Sequence, residues 1–218
     1  AVQRLAPDDI VSLIVFDTTV QTLVPAQPVG DGRGLERAIR GIEVAGNTNL
    51  YGGVARGAEE VRRHIEVRRF VNRVILLSDG LANVGPSSPE ELGRFGASLV
   101  KEGISVTTIG LGLGFNEDLM TRLAQRSDGN TYFVEHSRDL PRIFAAELGD
   151  VLSVVARRVV IEIEFPAGVR PINFVGRDGV IRGQRAELTL NQLYGGQEKF
   201  ALVEVEVAPS RAGAEIEI

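Results

Sequence analysis

The 218-residue chain contains no cysteine, which removes disulfide staples, thiolate nucleophiles and cysteine metal ligands together. Histidine is nearly as scarce: His64 sits in a basic helical stretch and His136 near a helix start, with no partner histidine at ligand spacing, so both read as surface residues. Lysine is confined to Lys101 and Lys199. No uninterrupted apolar run approaches the roughly 20 residues that span a bilayer. Basic charge is also in deficit, 24 Lys and Arg against 29 Asp and Glu, for a formal net charge of -5. Nucleic-acid binders usually carry a concentrated basic face, so no nucleic-acid partner is expected, and Arg62, Arg63, Arg68 and Arg69 read as a solvated helix face. Ala1 to Leu5 have neither the basic start nor the apolar stretch of a signal peptide, and the missing initiator Met points to sequence upstream.

What is present is ordinary globular composition, 44% hydrophobic and 24% charged, enough for one large domain or two modest ones. Ile10 to Phe16 (IVSLIVF) and Val71 to Ser78 (VNRVILLS) read as strands buried on both faces. Val20 to Val24 suits an edge strand. Leu35, Ile39 and Ile42 predict one amphipathic helix, and Val54, Ala58, Val61 and Ile65 a stronger one. Ser88, Pro89 and Glu91 form a capping box with proline at the first helical position, opening a helix that Gly103 ends. Ile104 to Gly112 supplies a third strand, Asn116 caps a helix through Arg126, Thr131 to Glu135 gives a fourth strand, and Arg138 to Leu152 another amphipathic helix. This alternation implies a mainly parallel sheet flanked by helices, with ligand sites beyond the carboxyl ends of its strands.

Near residue 153 the texture changes. Ile161, Ile163 and Phe165 alternate with Glu162 and Glu164, and Val203, Val205 and Val207 with Glu204 and Glu206, the mark of antiparallel strands with one wet face. Ala186 to Leu190 and Glu215 to Ile218 add weaker strands. The expected organisation is an α/β domain over residues 1–152 and a β-sandwich-like extension over 153–218.

Two loops carry the candidate chemistry. GNTNLYGG at Gly46 to Gly53 is too polar and glycine-rich for an element interior, and Asp79-Gly80 ends the second buried strand. Thr48 and Asp79 in those loops offer a hydroxyl and a carboxylate, a set able to serve a hard divalent ion, the carboxylate through a coordinated water. Each alone has a plain structural explanation, Thr48 as a cap and Asp79-Gly80 as a turn. Asp17, another strand-end carboxylate, lines the same loop face or simply ends its strand.

LAPDDIVSLIVFD at Leu5 to Asp17, GNTNLYGGV at Gly46 to Val54, RVILLSDGLANVG at Arg73 to Gly85 and GISVTTIGLG at Gly103 to Gly112 together resemble the von Willebrand factor type A family over roughly residues 4–150. The resemblance implies a Rossmann-like α/β fold and a non-enzymatic module for protein recognition or adhesion. Thr48 would be the threonine of the family's metal-ion-dependent adhesion site and Asp79 its later aspartate, holding Mg2+ or Mn2+. The partner would be a protein presenting an acidic residue, with Asp17, Asn49, Tyr51 and Gly80 around the contact. The family's Asp-x-Ser-x-Ser segment is not in the chain, because Ala1 to Leu5 resembles the tail of the helix that follows the first, central strand. That strand and the main metal ligands are therefore expected upstream, and the chain alone is expected to bind metal weakly or not at all. The open edges are an aggregation liability unless an upstream segment, a strand from a second copy or Glu215 to Ile218 fills the gap, which makes strand exchange or a homo-oligomer an expectation. Among family members, the long shared stretch with its following β region is similar to bacterial secreted or envelope proteins with an arrangement like inter-alpha-trypsin-inhibitor heavy chains or like calcium-activated chloride channels.

Other readings are a structural scaffold with a vestigial metal site, and an Asp79-dependent phosphatase. The second would need further acidic ligands and a lysine near Asp79. GLGLG at Gly110 to Gly114 follows the third strand rather than opening a first βαβ unit, which makes it poor evidence for dinucleotide binding. No GxSxG elbow supports serine hydrolysis.

Overall fold

A computed structural model describes residues 2–43, 46–65, 71–112, 114–152, 154–196 and 198–209. The backbone gathers into two compact units, Ala1–Ser153 and Val154–Ile218. Among the described residues no helix is long and apolar enough to cross a membrane.

The first unit runs β1 (Ile10–Phe16), β2 (Val20–Pro28), α1 (Arg33–Arg40), α2 (Leu50–Arg62), β3 (Asn72–Ser78), α3 (Pro89–Lys101), β4 (Ile104–Leu111), α4 (Glu117–Arg126), β5 (Thr131–Val134) and α5 (Leu140–Leu152). β3, β4 and β5 form a parallel sheet in that order, while β1 and β2 pair antiparallel as a separate ribbon. Pro25 and Pro28 fall in β2, at the edge where a missing N–H donor is tolerated. β4 is central and almost wholly buried, and its alternate residues serve two layers. Ile104 and Val106 join Leu92, Leu99, Leu119, Met120 and Leu123 of α3 and α4. Ile109 instead packs with Ile143 of α5.

Helix starts follow the local chemistry. Ser88 and Glu91 make the reciprocal capping box at α3, and Asn116 accepts the Leu119 N–H at 3.1 Å to open α4. The face expected from Leu35, Ile39 and Ile42 is different in the structure. Gly41 stops α1 before Ile42, the helix buries no residue, and Ile39 and Ile42 stay exposed. Its i, i+4 spacing is real, but no element packs over it tightly enough to bury it. The segment before α5 is likewise a short 3-10 turn, Ser137–Asp139, and the α-helix starts at Leu140.

α2 ties the ribbon to the sheet. Gly53 lets the helix lie against β1, since a Cβ there would come within 2.6 Å of the Phe16 ring, and Gly57 sits over Val74 of β3. β1 and β3 nonetheless share no ladder, and among the described residues no strand lies between them. On the opposite layer, the Glu147 carboxylate of α5 is fully buried (0% exposed). It accepts from the Arg73 guanidinium, from Thr107 Oγ1 at 2.5 Å and from Asn130 Nδ2 at 3.0 Å, which compensates its desolvation.

The second unit contains β6 (Val154–Glu164), β7 (Val169–Phe174), β8 (Val180–Arg182), β9 (Arg185–Tyr194) and β10 (Val203–Val207). An antiparallel sheet β6-β9-β8 and a pair β10-β7 enclose Phe165, Val169, Phe174, Ala186, Leu188 and Leu190. Glu162, Glu164, Glu204 and Glu206 face water, as their alternation with valine and isoleucine requires. The stretch expected as a weak strand, Ala186 to Leu190, lies in the first part of the ten-residue β9, which runs on to Tyr194. The strand expected over Glu215 to Ile218 lies outside the described residues, as do Arg68 and Arg69.

Candidate functional site

β1 and β3 both deliver their carboxyl ends to the segment leading into α2. The Asn49 N–H donates to the Asp17 carbonyl at 2.7 Å, joining that segment to the end of β1. On the β3 side, the Thr48 N–H donates to Asn83 Oδ1 at 2.8 Å, and the Thr48 carbonyl accepts from the Asn83 and Val84 N–H groups at 3.2 and 3.4 Å. Gly80 lies directly beneath the threonine: a Cβ at that position would stand 2.9 Å from Thr48 Oγ1. Thr48, Asp17, Asn49, Asp79 and Gly80 are therefore gathered at one end of the α/β unit.

The gathered side chains do different things. Asp79 follows the last residue of β3, exposed, and its carboxylate accepts from none of the described residues. The Thr48 hydroxyl is half-buried and likewise has no hydrogen-bond partner among them. Asp17 is already engaged: its carboxylate accepts the Thr19 N–H at 2.6 Å and the Thr19 hydroxyl at 3.0 Å. Those two bonds, the backbone one first, hold the Asp17 carboxyl below the usual carboxylate range. Asn49 caps α2 by accepting the Gly52 N–H at 2.9 Å. Tyr51, in the first turn of the helix, packs its ring on Phe95 with centroids 4.6 Å apart and belongs to the core cluster. Its aromatic face therefore serves the fold.

Sequence reasoning missed Asn83, Asn47 and Thr18. Asn47 N–H and Nδ2 reach Thr18 Oγ1 at 3.3 and 3.4 Å, and Asn83 Nδ2 reaches Asn47 Oδ1 at 3.5 Å. The only sequence signal was that these residues sit in polar, glycine-flanked stretches. The glycine-rich Gly110 to Gly114 segment has a packing explanation, because a Cβ at Gly110 would lie 2.3 Å from the Phe115 ring.

Thr48 and Asp79 supply hard oxygen donors of the kind that suits Mg2+ or Mn2+, one neutral and one anionic. Such ions take about six ligands. Among the described residues no group of three or more acidic, His or Cys side chains could hold a metal. The residues present thus match a divalent ion in kind and form part of a ligand set.

Comparison with known proteins gives a consistent answer. Residues 1–146 match the model of the von Willebrand factor type A domain. The structure of a von Willebrand factor type A protein from Catenulispora acidiphila superposes with a TM-score of 0.75 at 14% identity, covering 98% of this chain and 52% of that one. Proximal thread matrix protein 1 from the mussel byssus, in a form described as having a zinc-occupied MIDAS motif, aligns with a TM-score of 0.52 at 18% identity, over 71% of this chain and 37% of its own. In sequence, the uncharacterized protein YfbK of Escherichia coli is 24% identical over 177 residues, 80% of this chain. Inter-alpha-trypsin inhibitor heavy chain H3 of Mesocricetus auratus is 25% identical over 203 residues, 84% of this chain. The chain spans 31% of the first and 22% of the second. Domains of this kind generally take part in protein–protein interaction and adhesion. With the order of strands and helices, the Thr48 loop set against Asp79-Gly80 and the family match over two thirds of the sequence in agreement, the chain belongs to the von Willebrand factor type A domain family.

Proposed function

We propose that this chain is a non-enzymatic protein-recognition module that acts through a divalent cation held at the carboxyl ends of β1 and β3. The observation that carries the reading is the approach of the Thr48 hydroxyl to Gly80 next to Asp79, with neither that hydroxyl nor the Asp79 carboxylate hydrogen-bonded among the described residues. Thr48 would give the ion a neutral oxygen and Asp79 would hold one of its waters. The ion, Mg2+ or Mn2+, supplies a Lewis-acidic position that an acidic side chain of a partner protein can complete. Asp17 and Asn49 shape the rim through their turn and cap, and Gly80 keeps the floor low enough for the threonine.

The remaining oxygen ligands would come from polypeptide beyond these 218 residues, on a strand lying between β1 and β3. The gap supports this. α2 packs on both strands, their carboxyl ends meet at one loop, and among the described residues β1 pairs only with β2 and β3 only with β4. A strand seated there would sit about 4.8 Å from each neighbour and complete both ladders. The zinc-occupied motif described for the mussel protein supports a divalent site in this fold. A secreted or envelope setting is the companion proposal, tested by fractionation of the native host.

Asp79-dependent phosphate chemistry finds less support. Lys101 ends α3 just ahead of β4, at the amino end of the parallel sheet, opposite Asp79 at the carboxyl end of β3. A scaffolding role with a vestigial site is the second reading, favoured by the absence of a three-member acidic or histidine cluster among the described residues. Calorimetric Mn2+ titration of the full gene product separates the two. One stoichiometric site lost in Asp79→Ala supports recognition through metal, while no binding by the wild type leaves the scaffold as the better account.

A further inference from the structure

We propose that Asn83 is the positioning residue of this site, the group that fixes where the Thr48 hydroxyl stands. The inference rests on the metal-site reading above and deepens it. Residue 83 holds both backbone polar groups of Thr48 at once: its Oδ1 accepts the Thr48 N–H at 2.8 Å, and its own N–H donates to the Thr48 carbonyl at 3.2 Å. The Val84 N–H reinforces the second bond at 3.4 Å. With the peptide groups on either side of its Cα engaged, Thr48 keeps only its hydroxyl for other chemistry, and Gly80 lies immediately below that oxygen.

The arrangement differs from an ordinary stabilising contact in two respects. Asn83 is exposed, where single hydrogen bonds add little to folding because water competes for the same groups. Its Nδ2 also points to Asn47, which in turn reaches Thr18 beyond the end of β1. One side chain from the β3 loop thereby sets the α2 entry segment relative to both strand ends. A ligand oxygen must be placed to within a fraction of an ångström, and groups that orient ligands govern affinity almost as strongly as the ligands themselves. Asparagine suits the task because it offers an acceptor and a donor without adding charge beside Asp79.

Two variants and two readouts test the proposal. Amide exchange at Thr48, resolved to the single residue by mass spectrometry of the metal-free protein, reads the clamp itself. Mn2+ titration of the full gene product reads its consequence. Asn83→Ala is expected to speed Thr48 exchange at least about tenfold and to weaken Mn2+ binding about 10- to 100-fold, with the thermal midpoint close to wild type. Asn83→Asp keeps the Oδ1 acceptor for the Thr48 N–H and is expected to restore Thr48 protection, a readout that its added charge beside the ion does not confound. The proposal is overturned if Asn83→Ala leaves either Thr48 exchange or the Mn2+ affinity of a metal-binding wild type unchanged, or if Thr48 exchanges as fast in Asn83→Asp as in the alanine variant. A wild type that takes up no Mn2+ while Asn83→Ala still frees the Thr48 amide would refute the metal-site reading and reduce Asn83 to a loop clamp.

Discussion

Glu147 offers the sharpest test of how the α/β unit is held together. Its carboxylate is fully buried beneath α5 and accepts from Arg73 of β3, Thr107 of β4 and Asn130 ahead of β5, so one side chain joins a helix to three neighbouring strand segments. Glu147→Ala removes the acceptor shared by Arg73, Thr107 and Asn130 and takes one carboxylate from an Arg73 side chain that is only 4% exposed. Losing one member of a buried pair costs about 3–5 kcal/mol. A domain of this size loses about 2–4 °C in Tm per kcal/mol, so the expected drop is about 6–20 °C. Glu147→Gln keeps the volume and one acceptor but directs an amide at surrounding donors, and should cost about 1.5–3 kcal/mol. Arg73→Met combined with Glu147→Leu should cost well below the sum of the single changes, because the Arg73–Glu147 interaction is then lost once rather than counted in both. Urea unfolding followed by tyrosine near-ultraviolet signals, with hydrogen exchange of β4 peptides to assign the change to this unit, measures all three. A loss under about 1 kcal/mol for Glu147→Ala, or strict additivity in the double variant, would refute the reasoning.

Other consequences follow from particular contacts. Gly80→Ala places a methyl 2.9 Å from Thr48 Oγ1, and should weaken Mn2+ binding of the full gene product at least about tenfold with little change in Tm, as calorimetry and thermal unfolding would show. The Ser88 hydroxyl and backbone hold the Glu91 carboxyl below the usual range. Because the folded value is depressed, the stabilisation from Glu91 is present above its unfolded-state pKa and is lost as pH falls through the lower folded-state value. An NMR titration should show a low Glu91 midpoint that moves up toward the ordinary value in Ser88→Ala. A strand seated between β1 and β3 should slow amide exchange along both strands when the full gene product is compared with the 218-residue chain. Equal exchange in the two proteins would count against the proposed strand.

Most of the fold was readable because the decisive signals were local. The apolar runs at Ile10 to Phe16 and Val71 to Ser78 do form strands that end at Asp17 and Asp79-Gly80, and Ser88-Pro89-Glu91 carried its cap in four residues. They are not strands buried on both faces: every residue of β1 is only half-buried and Leu77 of β3 is exposed. The misjudged elements depend on what lies opposite. α1 has the spacing of a packed helix yet buries nothing, and β9 extends well past its apolar core because β6 pairs along nearly its whole length. Glu147 is invisible to periodicity: a glutamate in an amphipathic helix reads as solvated until Arg73, Thr107 and Asn130 are brought to it. The site divides the same way. Thr48 and Asp79 stand out through their loops and the family resemblance, whereas Asn83 acquires meaning only from a contact made across 35 residues of chain.

The central claim is that Thr48 and Asp79 border one divalent-metal position, and metal-directed cleavage tests it most directly. Fe2+ introduced into the full gene product with ascorbate and peroxide cuts or oxidises backbone near its binding site, and mass spectrometry locates the damage. The account predicts modification concentrated in residues 46–49 and 79–85, suppressed by excess Mg2+ or Mn2+ and lost in Asp79→Ala. Modification elsewhere, or at these loops but insensitive to both competition and the substitution, would contradict it.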